Sequence, residues 1–302
     1  MASNTARSGD ARPLSALYAS RRSRWVVTGV CVIIALYILM PVYWLVLAAT
    51  KSDSALLNSF GFAPSGPFRL FTNIGNLFTY NQGLYGHWLL NTILYSTAAG
   101  IGAAVISSIG GYAFACYEFR GRRALFGAIL VTVMVPVTVL VIPLYLLLAD
   151  VNLLNNPWGF ILPSVVSPVG IYLMRVYSEA AVPRSLLEAA RVDGAGEVRI
   201  FLSIAARLIS PGAATVFLFS VVGTWNNYFL PLLLFSTEAR MPATVGLGIL
   251  QYQASQGGTG SESVYTMVVT GSLVAVIPLV AVFLFLQRYW RSGITLGSVT
   301  GT

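Results

Sequence analysis

The sequence predicts an all-α membrane protein of six transmembrane helices, and three observations carry that reading. Of 302 residues, 56% are hydrophobic and only 9% are charged, whereas soluble domains run at about 25% charged. Six stretches are long and apolar enough to cross a bilayer, namely 25–49, 88–115, 124–149, 158–175, 209–235 and 264–287; a crossing takes about 20 such residues. Basic residues are spread unevenly over the segments between them, as in polytopic proteins whose positive loops stay on one side.

The elements follow in order. Residues 1–24 form a polar, basic tail. The uncharged run from Trp25 to Ala49 is too long for a signal-peptide core and has no small-residue cleavage site after it, so it reads as a retained span. Residues 50–87, with Gly61, Pro64, Gly66 and Pro67 among Phe60, Phe62, Phe68 and Phe71, read as a long connector. The third span contains Pro136 and Pro143, the fourth Pro163 and Pro168, the fifth Pro231 and the sixth Pro278. Such prolines are tolerated where neighbouring helices satisfy the freed carbonyls. The loop 236–263 includes Ala254 to Ser261, whose Gly, Ser and Gln content is that of a mobile linker. A tail, 288–302, closes the chain, so 25–287 makes a single membrane domain.

Placing the N-terminus inside puts fifteen of the eighteen basic residues inside and leaves Lys51, Arg69 and Arg240 outside. That bias makes both termini and the polar loop 176–208 cytoplasmic. It also accounts for the net charge of +8 as membrane topology, with lipid and not nucleic acid as the partner.

Several chemistries are excluded. Cys31 and Cys116 have no paired spacing and His87 is the only histidine, so neither a disulfide framework nor a metal site is expected. A nucleotide-binding P-loop needs Gly-Lys-Ser/Thr, but the only lysine, Lys51, follows Thr50. No catalytic residue set and no cofactor are implied. A self-contained secondary transporter or channel for a small polar solute is the alternative; it would place ionisable groups near the midplane, and none stand there. Asn91, Asn226 and Asn227 are the notable amides of the spans, and they either bond between helices or face a substrate. Trp225, Asn226, Asn227 and Tyr228 combine aromatic faces and amides, a set suited to sugar rings and hydroxyls, and are the candidate pathway residues.

The most informative segment is the polar one at 185–212, which carries Glu188, Arg191, Asp193, Glu197, Arg199 and Arg207 between two apolar spans. Ser185 to Glu188 fits a capping box at a helix start. Ala189 and Ala190 continue the helix with a low surface, and Asp193-Gly194 ends it. A second helix is expected from Asp193–Gly196 into Ile200, Phe201 and Ile204, with Pro211-Gly212 marking entry to the fifth span.

Glu188-Ala189-Ala190-Arg191-Val192-Asp193-Gly194-Ala195 resembles the EAA loop of binding-protein-dependent ABC importer permeases. The Asp-Gly-Ala form with Phe201 and Ile204 is similar to the carbohydrate-uptake branch, of the maltose-permease G-subunit type. Further stretches in matching order are Asn91-Thr92, Gly111 to Ala115, Glu118 to Gly121, Ile142 to Tyr145, Gly159 to Pro163, Trp225-Asn226 with Pro231-Leu232, and Gln287-Arg288. Ala206-Arg207 stands where the family usually has Leu-Pro, and Gly293 to Gly297 is a loose match. The resemblance implies a type I ABC importer permease fold in a bacterial inner membrane. It further implies ATPase coupling through Glu188, Ala189, Ala190, Asp193, Gly194 and Ala195. The implied partners are a sibling permease, two cytoplasmic ATPase subunits and an extracytoplasmic sugar-binding protein.

Overall fold

A computed structural model of the protein describes residues 21–256 and 261–294. The N-terminal tail through residue 20, Gly257 to Gly260 and the tail from residue 295 lie outside them. Every regular element among the described residues is a helix, and none is a strand. Five helical stretches are long and apolar enough to span a membrane, and a bent helix pair brings the total to six.

The first span is α1, Arg21–Thr50, with a mean hydropathy of 2.6 over its most apolar 18 residues. It is exposed from Trp25 to Trp44, and burial begins only at its C-terminal end, where Ala48 and Ala49 are enclosed. The connector after it is more ordered than its composition suggests. It holds α2, Asp53–Asn58, and α3, Leu70–Thr79. Lys51, only 1% exposed, donates to Ser59 Oγ (3.0 Å) and the Phe60 carbonyl (2.7 Å). Asn73 Nδ2 donates to the carbonyls of Ala49 and Lys51, both at 2.9 Å, and so ties the end of α1 to α3.

The centre of the bundle is α4, Leu84–Cys116. The third predicted span is not one helix. It is α5, Arg122–Val133, and α6, Val137–Asp150, bent by 103°. Pro136 between them has no N–H to donate and pushes Val135 out of the helical region. The fourth span likewise divides into α7, Pro157–Ser164, and α8, Pro168–Ala181. Here the prolines start helices. Pro157 and Pro168 occupy first helical positions, with Asn156 accepting from the Trp158 N–H and Ser167 from the Gly170 N–H, both at 3.0 Å.

In the C-terminal half, α9 is Arg184–Val192, α10 is Glu197–Ile200 and α11 is Ala206–Trp225. The stretch 201–205 between the last two is a π-turn, in which the Ala206 N–H reaches back to the Phe201 carbonyl. Thus 197–225 is one continuous helical rod. Pro211 lies inside it and does not mark its entry. The rod ends at Trp225, ten residues before the predicted end of the fifth span at 235, and α12, Phe229–Leu234, follows as a separate turn. The predicted mobile loop 236–263 contains α13, Ala243–Ser255, with Val245, Leu250 and Ala254 buried. The last helix is α14, Ser261–Ile294.

Helix α4 packs closely on α8 and α11 because glycines stand at the crossings. A Cβ on Gly111 would lie 2.6 Å from the Arg175 backbone nitrogen, and one on Gly100 would lie 2.6 Å from Val221. Small residues at crossings are what lets helix backbones approach within a membrane. Nearer its start, one face of α4 holds a short strap, the 3-10 turn Glu238–Arg240 with Met241, that leads into α13. Trp88 Nε1 donates to the Glu238 carbonyl (2.9 Å), Asn91 Nδ2 to Ala239 (2.8 Å) and Met241 (3.1 Å), and the Tyr95 hydroxyl to Arg240 (3.1 Å). Thr92 Oγ1 accepts from the Ala243 N–H at 2.7 Å. Asn91 is therefore a structural amide.

Gly111→Leu is expected to lower the detergent melting temperature by several degrees, since overpacking costs about 1–3 kcal/mol. Gly127→Ala, where an added Cβ meets nothing within 4 Å, is expected to leave it unchanged or raised. Equal melting curves for the two variants would contradict the packing at Gly111.

Candidate functional site

Two features stand out at the surface, and one rod joins them. The first is the polar turn 182–200. Helix α9 is amphipathic, with Leu187 and Ala190 buried inward and Glu188, Ala189 and Arg191 outward. Of the two alanines, only Ala189 is exposed; Ala190 packs against the chain's own core with Ile200 and Ile209. The expected capping box is not formed. Pro183 is the N-cap, no side chain caps the helix, and Ser185 lies inside the first turn. Starting at Pro183 fixes the first residue without needing a donor there, which moves the helix start ahead of the serine.

The C-terminal end forms as expected. Gly194 takes φ 77°, its N–H donates to Arg191 and the Ala195 N–H to Ala190, both at 3.0 Å. These two bonds satisfy the last carbonyls in a Schellman turn. Asp193 is the C-cap and is exposed, and Ala195 is half-buried against the core. Val192 beside them is 88% exposed, an apolar side chain left uncovered at the tip of the turn.

A small ionic cluster braces this turn. Arg191 Nε donates to Glu197 Oε1 at 2.7 Å and Arg191 Nη2 to Oε2 at 3.3 Å. The Tyr117 hydroxyl at the C-cap of α4 donates to Glu197 Oε2. Arg191 and Tyr117 together hold the Glu197 carboxyl below the ordinary range, Arg191 being the larger cause. Burial and then the Glu197 contact push the Tyr117 hydroxyl up. A second cluster ties the start of α5 to α8. Arg175 donates to Glu179 at 3.1 Å and stacks 4.0 Å over the Phe126 ring, while Arg122 lies 3.8 Å from Glu179. Sequence reasoning did not find Tyr117, which is 80 residues from Glu197 and carries no motif.

The second feature is a cleft of about 1220 Å³ walled by α5, α6, α8, α11 and α12. Its lining is apolar with a few hydroxyls and amides: Thr132, Thr138, Ser164, Ser167, Ser220 and Thr224, then Asn226 and Asn227. Of the four candidate pathway residues, Asn226, Asn227 and Tyr228 line this cleft. Trp225 is buried and is not among the lining residues. The Asn226 amide bends back to donate to the Val222 carbonyl at 2.9 Å, so it closes the helix end while bordering the cleft.

The model of binding-protein-dependent transport system inner membrane components matches residues 107–295, a stretch that includes the α9 turn, the rod and the cleft. The chain belongs to this family. It is a transport-system membrane component, crossing the inner membrane several times. Its curated relatives include the arabinooligosaccharides transport system permease protein AraQ of Bacillus subtilis, 32% identical, with 89% of this chain and 92% of that one aligned. The sn-glycerol-3-phosphate transport system permease protein UgpE of Yersinia pestis is 30% identical over 86% of this chain and 91% of its own. Among solved structures, a chain of a bacterial ABC transporter that imports the acidic polysaccharide alginate aligns with a TM-score of 0.75 and 27% identity. That alignment covers 90% of this chain and 99% of the other, so the ABC importer permease fold extends over nearly the whole sequence.

Because Gly194 has open space around its Cα and a positive φ, Gly194→Ala tests backbone conformation alone. Forcing a non-glycine residue there costs about 1–2 kcal/mol. The expected result is faster backbone amide exchange over 190–197 at unchanged global melting, read by hydrogen–deuterium exchange. Exchange at the wild-type rate would contradict the left-handed cap.

Proposed function

We propose that this family member forms half of the translocation pathway of an ATP-driven importer for a neutral sugar or oligosaccharide. In this reading, α9 is its handle for a separate ATPase subunit. The observation that carries the reading is that handle and cleft share one rod. Val216, Ser220 and Thr224 of α11 line the cleft, and the same helix runs back through the π-turn to Glu197, next to the α9 turn. A force applied at α9 thus reaches the cleft wall through unbroken backbone.

Glu188, Ala189, Asp193 and the apolar tip at Val192 form the outward face offered to the ATPase. Ala190, Gly194 and Ala195 set the shape behind it. No nucleotide-binding motif stands in the chain, so hydrolysis belongs to another polypeptide. Helix α6, which lines the cleft, leaves Val137, Val139 and Ile142 exposed in the single chain. A sibling permease completes the cleft, in a heterodimer with two ATPase subunits and an extracytoplasmic binding protein. The basic end of the bundle faces the cytoplasm and carries both termini.

The substrate class follows from the cleft. Among the described residues that line it, none is charged. A phosphate or carboxylate solute entering such a wall would lose hydration without gaining a counter-charge, whereas hydroxyls find Ser, Thr and Asn partners. Named relatives serve both kinds of solute: arabinooligosaccharides on one hand and sn-glycerol 3-phosphate on the other. The uncharged lining favours the first.

Two measurements test this. Uptake of labelled arabinotriose, raffinose and sn-glycerol 3-phosphate by cells expressing the complete transporter is expected to favour a neutral saccharide. Higher uptake of the phosphate would refute the substrate class. Glu188→Lys and Gly194→Asp are each expected to cut uptake by about tenfold or more, equivalent to about 1.4 kcal/mol, at normal membrane levels. Wild-type uptake in both variants would remove α9 as the handle.

A further inference from the structure

A handle transmits movement only if it is stiff, and the α9 turn has a weak point. Between α9 and α10 lie Asp193 to Gly196, with glycine at 194 and 196. Neither glycine has a heavy atom within 4 Å of where a Cβ would stand, so no packing supports the turn from outside. Gly194 also sits in the left-handed region, held by its own two turn hydrogen bonds. Pulled at Glu188 or Val192, such a turn hinges before the rod moves.

Behind the turn Ala190 packs with Ile200 and Ile209, and one polar bridge crosses the hinge in front of them. Glu197, the first residue of α10, takes the Arg191 guanidinium in the last turn of α9 through both carboxylate oxygens, at 2.7 and 3.3 Å. The same carboxylate accepts the Tyr117 hydroxyl at the end of α4. One carboxylate therefore joins three elements: the handle, the rod that lines the cleft, and the central helix on which the rod packs. A forked guanidinium–carboxylate pair fixes orientation as well as distance. Tyr117 in turn is seated edge-on against Tyr112 of α4, with ring centroids 5.6 Å apart, and Tyr112 packs against Phe201 of the π-turn at 5.2 Å.

We propose that Glu197 is a positioning residue, and that its bonds to Arg191 and Tyr117 lock the α9 hinge so that movement of the handle is delivered to α4 and α11. This rests on the handle reading given above. The cluster is poorly placed to act through stability. The Arg191 and Glu197 side chains are 40% and 47% exposed, and exposed pairs contribute little to folding. Its importance is to coupling, which separates it from an ordinary structural contact.

The test uses the full transporter, purified with its co-assembled subunits and reconstituted in vesicles. Cys31 and Cys116 are replaced by serine, and Ser220→Cys on the cleft wall reports accessibility to an impermeant maleimide. With Glu197 intact, ATP plus vanadate is expected to change the labelling rate by about fivefold or more, the lower end of ordinary coupling. In Glu197→Gln, and separately in Tyr117→Phe, that change is expected to collapse towards one. The ATPase still co-purifies and hydrolyses ATP, and the melting temperature is unchanged. The double variant is expected to be no worse than either single one, because both remove one network. A full labelling change in both single variants overturns the proposal. So does loss of the ATPase from the complex, which would make the cluster a docking element. Glu188→Lys, run alongside, separates the two ideas: if it abolishes ATPase association while Glu197→Gln is silent, the handle stands and the lock falls. If the Glu197-intact protein shows no ATP-dependent change, the handle reading itself fails.

Discussion

In a bilayer a backbone N–H or C=O without a protein partner has no water to turn to, and each one left open costs several kcal/mol. Between α12 and α13, at the edge of that region, the chain leaves regular α-helix, and α4 satisfies the carbonyls freed there. Trp88, Asn91 and Tyr95 lie on one face of it and donate to successive carbonyls of the strap 238–241, while Thr92 receives the Ala243 N–H. The strap in turn sets α13 against the Trp88 ring, where only Gly246 allows the approach. The other half of α4 makes the glycine-lined crossings with α8 and α11. The cleft and the α9 turn are thus both referred to this one helix.

Much of this was legible in the sequence, and the exceptions share a cause. Spans one, two and six were read to within a few residues, because long uncharged runs announce themselves. The third and fifth were read as single helices. In each the apolar run continues through a break, at Pro136 and at Asn226, and hydropathy does not register a change of direction. The region after 236 was read as a loop from Gly257-Gly258-Thr259-Gly260, although the residues ahead of it form α13. There the linker composition at one end masked a helix whose buried face is Ala243, Val245, Gly246, Leu250 and Ala254. Ser185 to Glu188 had the spacing of a capping box, but Pro183 started the helix first.

In the polar turn the helix end was legible and the helix start was not. Gly194 was expected to end α9 and does, in the left-handed region. The brace behind it was not legible, since nothing in the spacing of Tyr117, Arg191 and Glu197 marks three residues that converge. Of the four candidate residues, the two amides and Tyr228 border the cleft, whereas Trp225 turns into the protein. The family membership explains why the Glu-Ala-Ala segment was informative beyond its local chemistry. Within this chain Gly194 closes the helix end, and Val192 beside it is left uncovered.

The isolation of α1 bears on how the protein is made. A helix exposed from Trp25 to Trp44 draws little from tertiary structure along that length, so its stability in lipid is largely its own. It can therefore partition from the translocation machinery into the bilayer while the ribosome is still building α4. The Lys51–Asn73 knot then gives the later helices a fixed post to assemble around, and the direction in which α1 threads decides the direction of every helix that follows.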